Sequence, residues 1–218
     1  MREEEHKVSK LEKWTAPLGM VGVIFYFAHV FIGQLLWPEY NPITTDISSL
    51  TAVGAPNREL LGFLTAVYGI AMLLFVIGMI VKAIRKYHTA VRVGWGILLV
   101  MNLVCMFGYS MFPLSGDKTQ MTFGNLMHIV VTVVVVFTTI SAGFFLAVGY
   151  LKQERMRGLG VFALAMAVII TVAGALNPIG MANQLNILGL TERAVIFSLQ
   201  AMMFVFSAYY TFSPKERV

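Results

Sequence analysis

The sequence predicts an all-α polytopic membrane protein, a six-transmembrane-helix bundle, and three observations lead there. Hydrophobic residues make up 58% of the 218 and charged residues only 12%, whereas about a quarter of the residues of a soluble domain are charged. Six apolar runs are each long enough to cross a hydrocarbon core of ~30 Å as a helix of ~20 residues. Within those runs the apolar residues are continuous rather than alternating, which argues against the strand pattern of a membrane β-barrel.

Residues 1–16 read as a polar N-terminal segment. The first helix, 17–37, is too long for a signal peptide, and "FIGQLLWPEY" offers no small-x-small cleavage site, so it is expected to be retained. Further helices are expected at 60–81, 91–112, 124–150, 157–176 and 192–212, which gives a membrane domain over 17–212 and a short tail over 213–218. Each longer loop opens on a proline: Pro38 after Trp37, Pro113 after Phe112 and Pro178 after Asn177. Proline lacks an N–H and clashes with the preceding turn, so the chain reads as three helical hairpins with matching punctuation. Asn57 and Thr191 stand where they could cap the second and sixth helices. Glycines inside the runs, such as Gly69, Gly94 and Gly143, suit close helix packing in lipid. Trp14, Trp37 and Tyr40 read as interfacial anchors.

The net charge of +5 is not spread evenly. Thirteen of the sixteen Lys and Arg residues fall in the N-terminal segment, the second and fourth connections and the tail, and only Arg58, Lys118 and Arg193 lie on the other side. The positive-inside rule therefore places both termini in the cytoplasm. The basic excess is topological, aided by anionic inner-leaflet lipid, and calls for no nucleic-acid partner. A single cysteine, Cys105, excludes an intramolecular disulfide and any Cys-x-x-Cys redox or zinc motif.

The residues that could carry chemistry gather on the outer side. The external loops are "PEYNPITTDISSLTAVGAPNRE", "PLSGDKTQMTF" and "PIGMANQLNILGLT". An ionisable group at membrane depth is costly unless it faces protein or water. His29 lies about two turns below the outer end of the first helix and His128 one turn inside the fourth, while Asp46 and Asp117 occupy the first two loops. Imidazole and carboxylate together suit general acid/base work, so all four are candidate catalytic residues. Each has a plainer reading: an interhelical hydrogen bond for His29, a loop tie for His128 and Asp117, a helix cap for Asp46. A zinc ion would need His29, His128 and Asp117 as its three protein ligands; no HExxH and no i, i+4 histidine pair supports one. Arg58 and Arg193 could clamp a phosphate or carboxylate, or pair with Glu59 and Glu192. Asn125, one turn before His128, completes the candidate binding set. Ser48, Ser49 and Ser110 lie in no GxSxG elbow.

On "DISSLTAVGAPN" and "FPLSGDKTQMTFGNLMH", with Asp46, Asp117 and His128 in the matching positions, the chain resembles a bacterial membrane family of unknown function, number 998 among such domains. That family is related to the six-helix Frag1/DRAM/Sfk1 proteins. The resemblance covers roughly residues 17–212. It implies a six-helix fold in the bacterial cytoplasmic membrane with an outward-facing polar pocket, and relatives tied to lipid remodelling. A more distant similarity to ceramidase-like zinc hydrolases lacks their His-x-x-x-His pair here.

The function expected is that of an integral membrane protein acting on or binding a lipid-like amphiphile, as a hydrolase or acyltransferase with His128 as acid/base and Asp117 or Asp46 as its orienting partner. The alternatives are a non-catalytic lipid-binding or scaffold protein and a small-solute transporter. Transport fits less well, because no ionisable relay continues toward the inner side. Membrane lipids are the partners expected.

Overall fold

The computed structural model describes residues 10–115 and 121–213. Six helices carry the described chain: α1 (Lys10–Leu35), α2 (Arg58–Lys86), α3 (Thr89–Met111), α4 (Phe123–Leu151), α5 (Glu154–Ala182) and α6 (Leu188–Phe212), each long and apolar enough to cross a membrane. Every helix packs against its neighbours in the chain, and α6 returns to α1, so the six close into a ring. Large apolar side chains such as Leu35, Phe63, Phe123 and Phe137 stand exposed on the ring's outer surface, where lipid is their natural contact. The two ends differ. One, the terminal end, carries both termini and two tight connections; the other, the loop end, carries the connections after α1, α3 and α5.

Helix ends depart from the apolar runs for local reasons. α2 continues past residue 81 to Lys86 because Lys82 is buried with its ammonium 4.9 Å from the centre of the Tyr210 ring, and Arg85 and Lys86 close its last turn, where cations suit the helix dipole. Pro38 and Pro113 do follow helix ends, but Pro178 does not: α5 runs through it to Ala182. A proline inside a membrane helix is tolerated where neighbouring elements restore polar contacts, and here Thr191 of α6 donates its hydroxyl to the Asn177 side chain beside it. Thr191 is accordingly no cap, since α6 begins at Leu188. Asn57 does precede α2, in a left-handed conformation (φ 58°), but makes no side-chain capping bond.

α1 is broken at Ala16–Pro17. The Ser207 hydroxyl of α6 enters the break, accepting from the Met20 N–H at 2.9 Å and donating to the Ala16 carbonyl at 2.5 Å. An inserted side chain of this kind is a recognised cause of a helix kink. A Cβ on Gly19 would lie 2.7 Å from that of Ser207, so glycine is what lets α6 come this close.

The terminal half of the ring's interior is filled by aromatic side chains. Trp95, Phe75, Tyr150 and Phe206 have no accessible surface. Trp95 donates its indole N–H to the Tyr150 hydroxyl at 3.0 Å, and that hydroxyl lies 2.7 Å from the hydroxyl of Tyr210.

Candidate functional site

The long connection between α1 and α2 folds over the loop end as a cap. Its short 3-10 helix, Ile47–Thr51, drives Ile47 and Leu50 into a second apolar cluster with Val30, Leu61 and Leu64. Arg193 pins this cap to α6. Its Nη1 donates to the carbonyls of Pro42 (2.7 Å), Thr45 (3.1 Å) and Gly189 (3.0 Å), and its Nη2 to the Tyr40 hydroxyl (2.7 Å). A Cβ on Gly189 would stand 2.3 Å from the Thr45 carbonyl oxygen, a distance only glycine permits. Tyr40 is therefore buried and is no interfacial anchor. Burial raises its phenol above the ordinary range, and the Arg193 hydrogen bond offsets part of that.

The acidic residues of this region hold the cap as well. The Glu192 carboxylate accepts from the Ile47 N–H at 2.6 Å. Asp46 occupies the cap position of the 3-10 helix, but its carboxylate takes the hydroxyl protons of Ser48 and Ser49 rather than backbone N–H groups. Arg58, exposed, donates its Nε to the Thr51 carbonyl at 3.2 Å.

The second loop joins the first through the Val53 N–H, which donates to the Leu114 carbonyl at 2.9 Å. Asn125 is buried and its Oδ1 accepts from both the backbone N–H (3.0 Å) and the hydroxyl (2.8 Å) of Ser115. The His128 Nδ1 lies 2.9 Å from the Phe112 carbonyl, and its ring lies tilted against Tyr109, the centroids 4.8 Å apart. Asp117 lies outside the described residues.

Between the cap and the aromatic floor the interior changes character. A π-helical turn, Val104–Gly108, interrupts α3; such turns recur at functional sites because they re-aim the side chains that follow. Just beyond it Tyr109 reaches the Thr132 hydroxyl at 3.2 Å. Tyr26, Tyr68, Cys105 and Tyr109 are half-buried in the loop half of the ring.

Two buried side chains of this half, His29 and Gln200, hold polar atoms without a hydrogen-bond partner. His29 is 3% exposed and neither ring nitrogen has a hydrogen-bond partner; the Tyr26 carbonyl one turn before it lies near the ring but outside hydrogen-bond geometry. Gln200 is 1% exposed; its amide nitrogen donates to the Tyr68 hydroxyl at 2.9 Å, while its Oε1 has no partner. The two are joined through edge-on tyrosines: His29 to Tyr26 at 5.5 Å, and Tyr26 to Tyr68 at 4.8 Å. Among the described residues the one other buried side-chain oxygen or nitrogen without a hydrogen bond is a Glu12 carboxylate oxygen at the terminal end, and it is ion-paired with Arg85 at 3.7 Å. Buried Thr15 and Thr139, by contrast, return their hydroxyls to their own helices, Thr139 to the Val135 carbonyl at 2.7 Å.

The structure thus divides the sequence candidates. His29 packs against Tyr26 with its ring nitrogens unpartnered, His128 lies beside Tyr109, and Asp46, Asn125 and Arg193 are engaged in holding loops. No group of three His, Cys, Asp or Glu among the described residues is placed to hold a metal ion. Tyr26, Tyr68, Tyr109, Thr132 and Gln200 were not singled out in the sequence. Gln200 carried a usable signal, an amide within the apolar stretch "FSLQAMMF"; the tyrosines carried none, being indistinguishable there from packing aromatics. The model of one protein family, described as a protein of unknown function (DUF998), matches residues 20–209, so the chain belongs to that family. No curated protein and no solved structure matches it.

Proposed function

We propose that this DUF998 protein binds a lipid-like amphiphile, with the polar part of the ligand received among the half-buried tyrosines under the cap. The observation that carries this is the pair His29 and Gln200, buried beside those tyrosines with polar atoms that lack a hydrogen bond. A buried polar atom left without a hydrogen bond costs about 1–3 kcal/mol, and a ligand that supplies the missing bonds recovers it. Aromatic walls with a few placed polar groups are the usual make-up of a small-molecule site. The apolar outer face of the ring makes membrane lipid the nearest source of such a molecule.

Binding rather than catalysis is the reading favoured by the hydroxyls. Ser48 and Ser49 give their protons to Asp46, and Ser110 gives its own to the Met106 carbonyl at 2.6 Å, so none of them faces an imidazole as an activated nucleophile does. The basic residues clustered at the terminal end support placing that end in the cytoplasm of a bacterial cell, with the cap outside.

Thermal melting of the delipidated protein in detergent tests this. The midpoint is expected to rise when a total bacterial lipid extract is added back, and that rise is expected to shrink in Gln200→Met. A rise of the same size in both proteins, or none in the wild type, would remove the binding reading.

A further inference from the structure

A cationic patch lies across the two tight connections of the terminal end. Over 86–92 and 152–157 the chain holds five lysines and arginines, Lys86, Arg92, Lys152, Arg155 and Arg157, against one acidic residue, Glu154. All five cations are exposed. Among the described residues of the loop end the balance is reversed, with four carboxylates to two guanidinium groups.

Close helix contacts bring the two connections together. A Cβ on Gly149 of α4 would stand 2.6 Å from the Val91 backbone nitrogen of α3, and one on Gly160 of α5 would stand 2.6 Å from that of Leu151. The opening turns of α3 and α5 therefore press against the last turn of α4 at backbone distance, and the cations of both connections share one surface. Arg92 is fixed there as well. Its Nε donates to the carbonyls of Ala83 at 3.2 Å and Tyr87 at 3.0 Å, which holds the guanidinium against the end of α2 that carries Lys86.

What borders the cations decides between partners. Ile84, Val93, Val148 and Val161 are exposed too, and each stands within about a turn of one of the five along helices long and apolar enough to cross a membrane. A soluble anion has no use for that apolar border. A phospholipid fits both parts, its phosphate meeting the cations while its acyl chains run along the apolar faces of the same helices. Lys and Arg suit this boundary because their stems lie on apolar surface while the charge stays at headgroup level, and basic clusters at the ends of membrane helices recognise anionic headgroups.

We infer that this patch is a binding surface for an anionic phospholipid of the surrounding membrane, held where α3, α4 and α5 meet. It is separate from the ligand proposed under the cap, which lies at the opposite end of the ring.

The test compares headgroups on the delipidated protein in nonionic detergent, with apparent affinity taken from the rise of the thermal midpoint during lipid titration. Dioleoylphosphatidylglycerol is expected to bind about tenfold or more tighter than dioleoylphosphatidylcholine, and the preference is expected to shrink as salt is raised. Combining Lys152→Gln, Arg155→Gln and Arg157→Gln is expected to remove most of that preference while the lipid-free variant melts as the wild type does, because the changed side chains are exposed. Should the combination fail to fold, the three single variants take its place, each expected to lose part of the preference. Lys10→Gln with Lys13→Gln neutralises two other exposed cations of this end and is expected to keep most of it. No preference in the wild type, or an equal loss in both combinations, overturns the inference. Full displacement of the lipid by inorganic phosphate or by a polyglutamate peptide overturns it as well, and gives the surface to a soluble anion or to an acidic protein.

Discussion

In the terminal half of the ring, Trp95, Tyr150 and Tyr210 join through their own hydrogen bonds and leave no accessible surface on Trp95 or Tyr150. In the loop half, Tyr26, Tyr68 and Tyr109 keep accessible surface, and His29 and Gln200 hold buried polar atoms without a hydrogen bond. The same ring of helices encloses both regions, and the difference lies in what fills it. An indole directed inward closes one half. In the other, a π-helical turn interrupts α3 and the cap covers the top.

The comparison is sharpened most by deleting the indole. Trp95→Ala should destabilise the protein by about 3–5 kcal/mol, the range for removing a large buried aromatic, read as a fall in the thermal midpoint in detergent. A loss below about 1 kcal/mol would mean that the terminal half is not the packed element it is taken to be.

Next in size is Arg193→Met, which removes the donors that hold Pro42, Thr45, Gly189 and Tyr40. Hydrogen bonds from a charged group are worth about 1.5–3 kcal/mol each in favourable cases, and the abandoned carbonyls carry a penalty of their own. The expected result is a loss of at least about 2 kcal/mol, together with faster cleavage by protease within 38–57. Gly189→Ala should release the cap in the same way through the clash of its Cβ with the Thr45 carbonyl. A cap that stays resistant in both variants would show that it is held by something other than this staple.

These residues also mark how far the sequence could be read. Six apolar runs and two proline stops follow from composition and local sterics, and the six helices are present. Pro178 was misplaced because whether a proline ends a helix depends on what surrounds it, here a contact from Thr191 on the next helix. The start of α6 moved back to Leu188 because the Leu190 N–H finds the Ile43 carbonyl at 3.0 Å, a partner far away in sequence. Of the candidate site, His29 was legible by the rule that membrane ionisable groups are costly. Extending that rule to amides would have found Gln200. That Asp46 and Asn125 hold loops while the His29 ring nitrogens are left without a hydrogen bond depends on which helices meet, and no spacing within one helix encodes that.

The smallest expected effects give the most direct contrast, since they apply one kind of change to both halves. Tyr150→Phe deletes a hydroxyl that accepts from Trp95 and pairs with Tyr210, leaving an indole N–H without its acceptor; about 1–3 kcal/mol should be lost. Gln200→Met deletes a polar group whose oxygen has no partner, and replacing an unsatisfied buried group by an apolar one of similar shape is close to neutral or stabilising. The one bond given up, from the amide nitrogen to Tyr68, is worth about 1 kcal/mol and is set against the unsatisfied oxygen removed with it. Measured side by side on delipidated protein, the Tyr150→Phe midpoint should fall while that of Gln200→Met holds or rises. If both fell alike, Gln200 would be a structural residue like Tyr150, and the loop half would lose its claim to be a site. If Gln200→Met is harmless to the empty protein but cancels the stabilisation given by added lipid, the polarity at this depth is retained for a ligand and not for the fold.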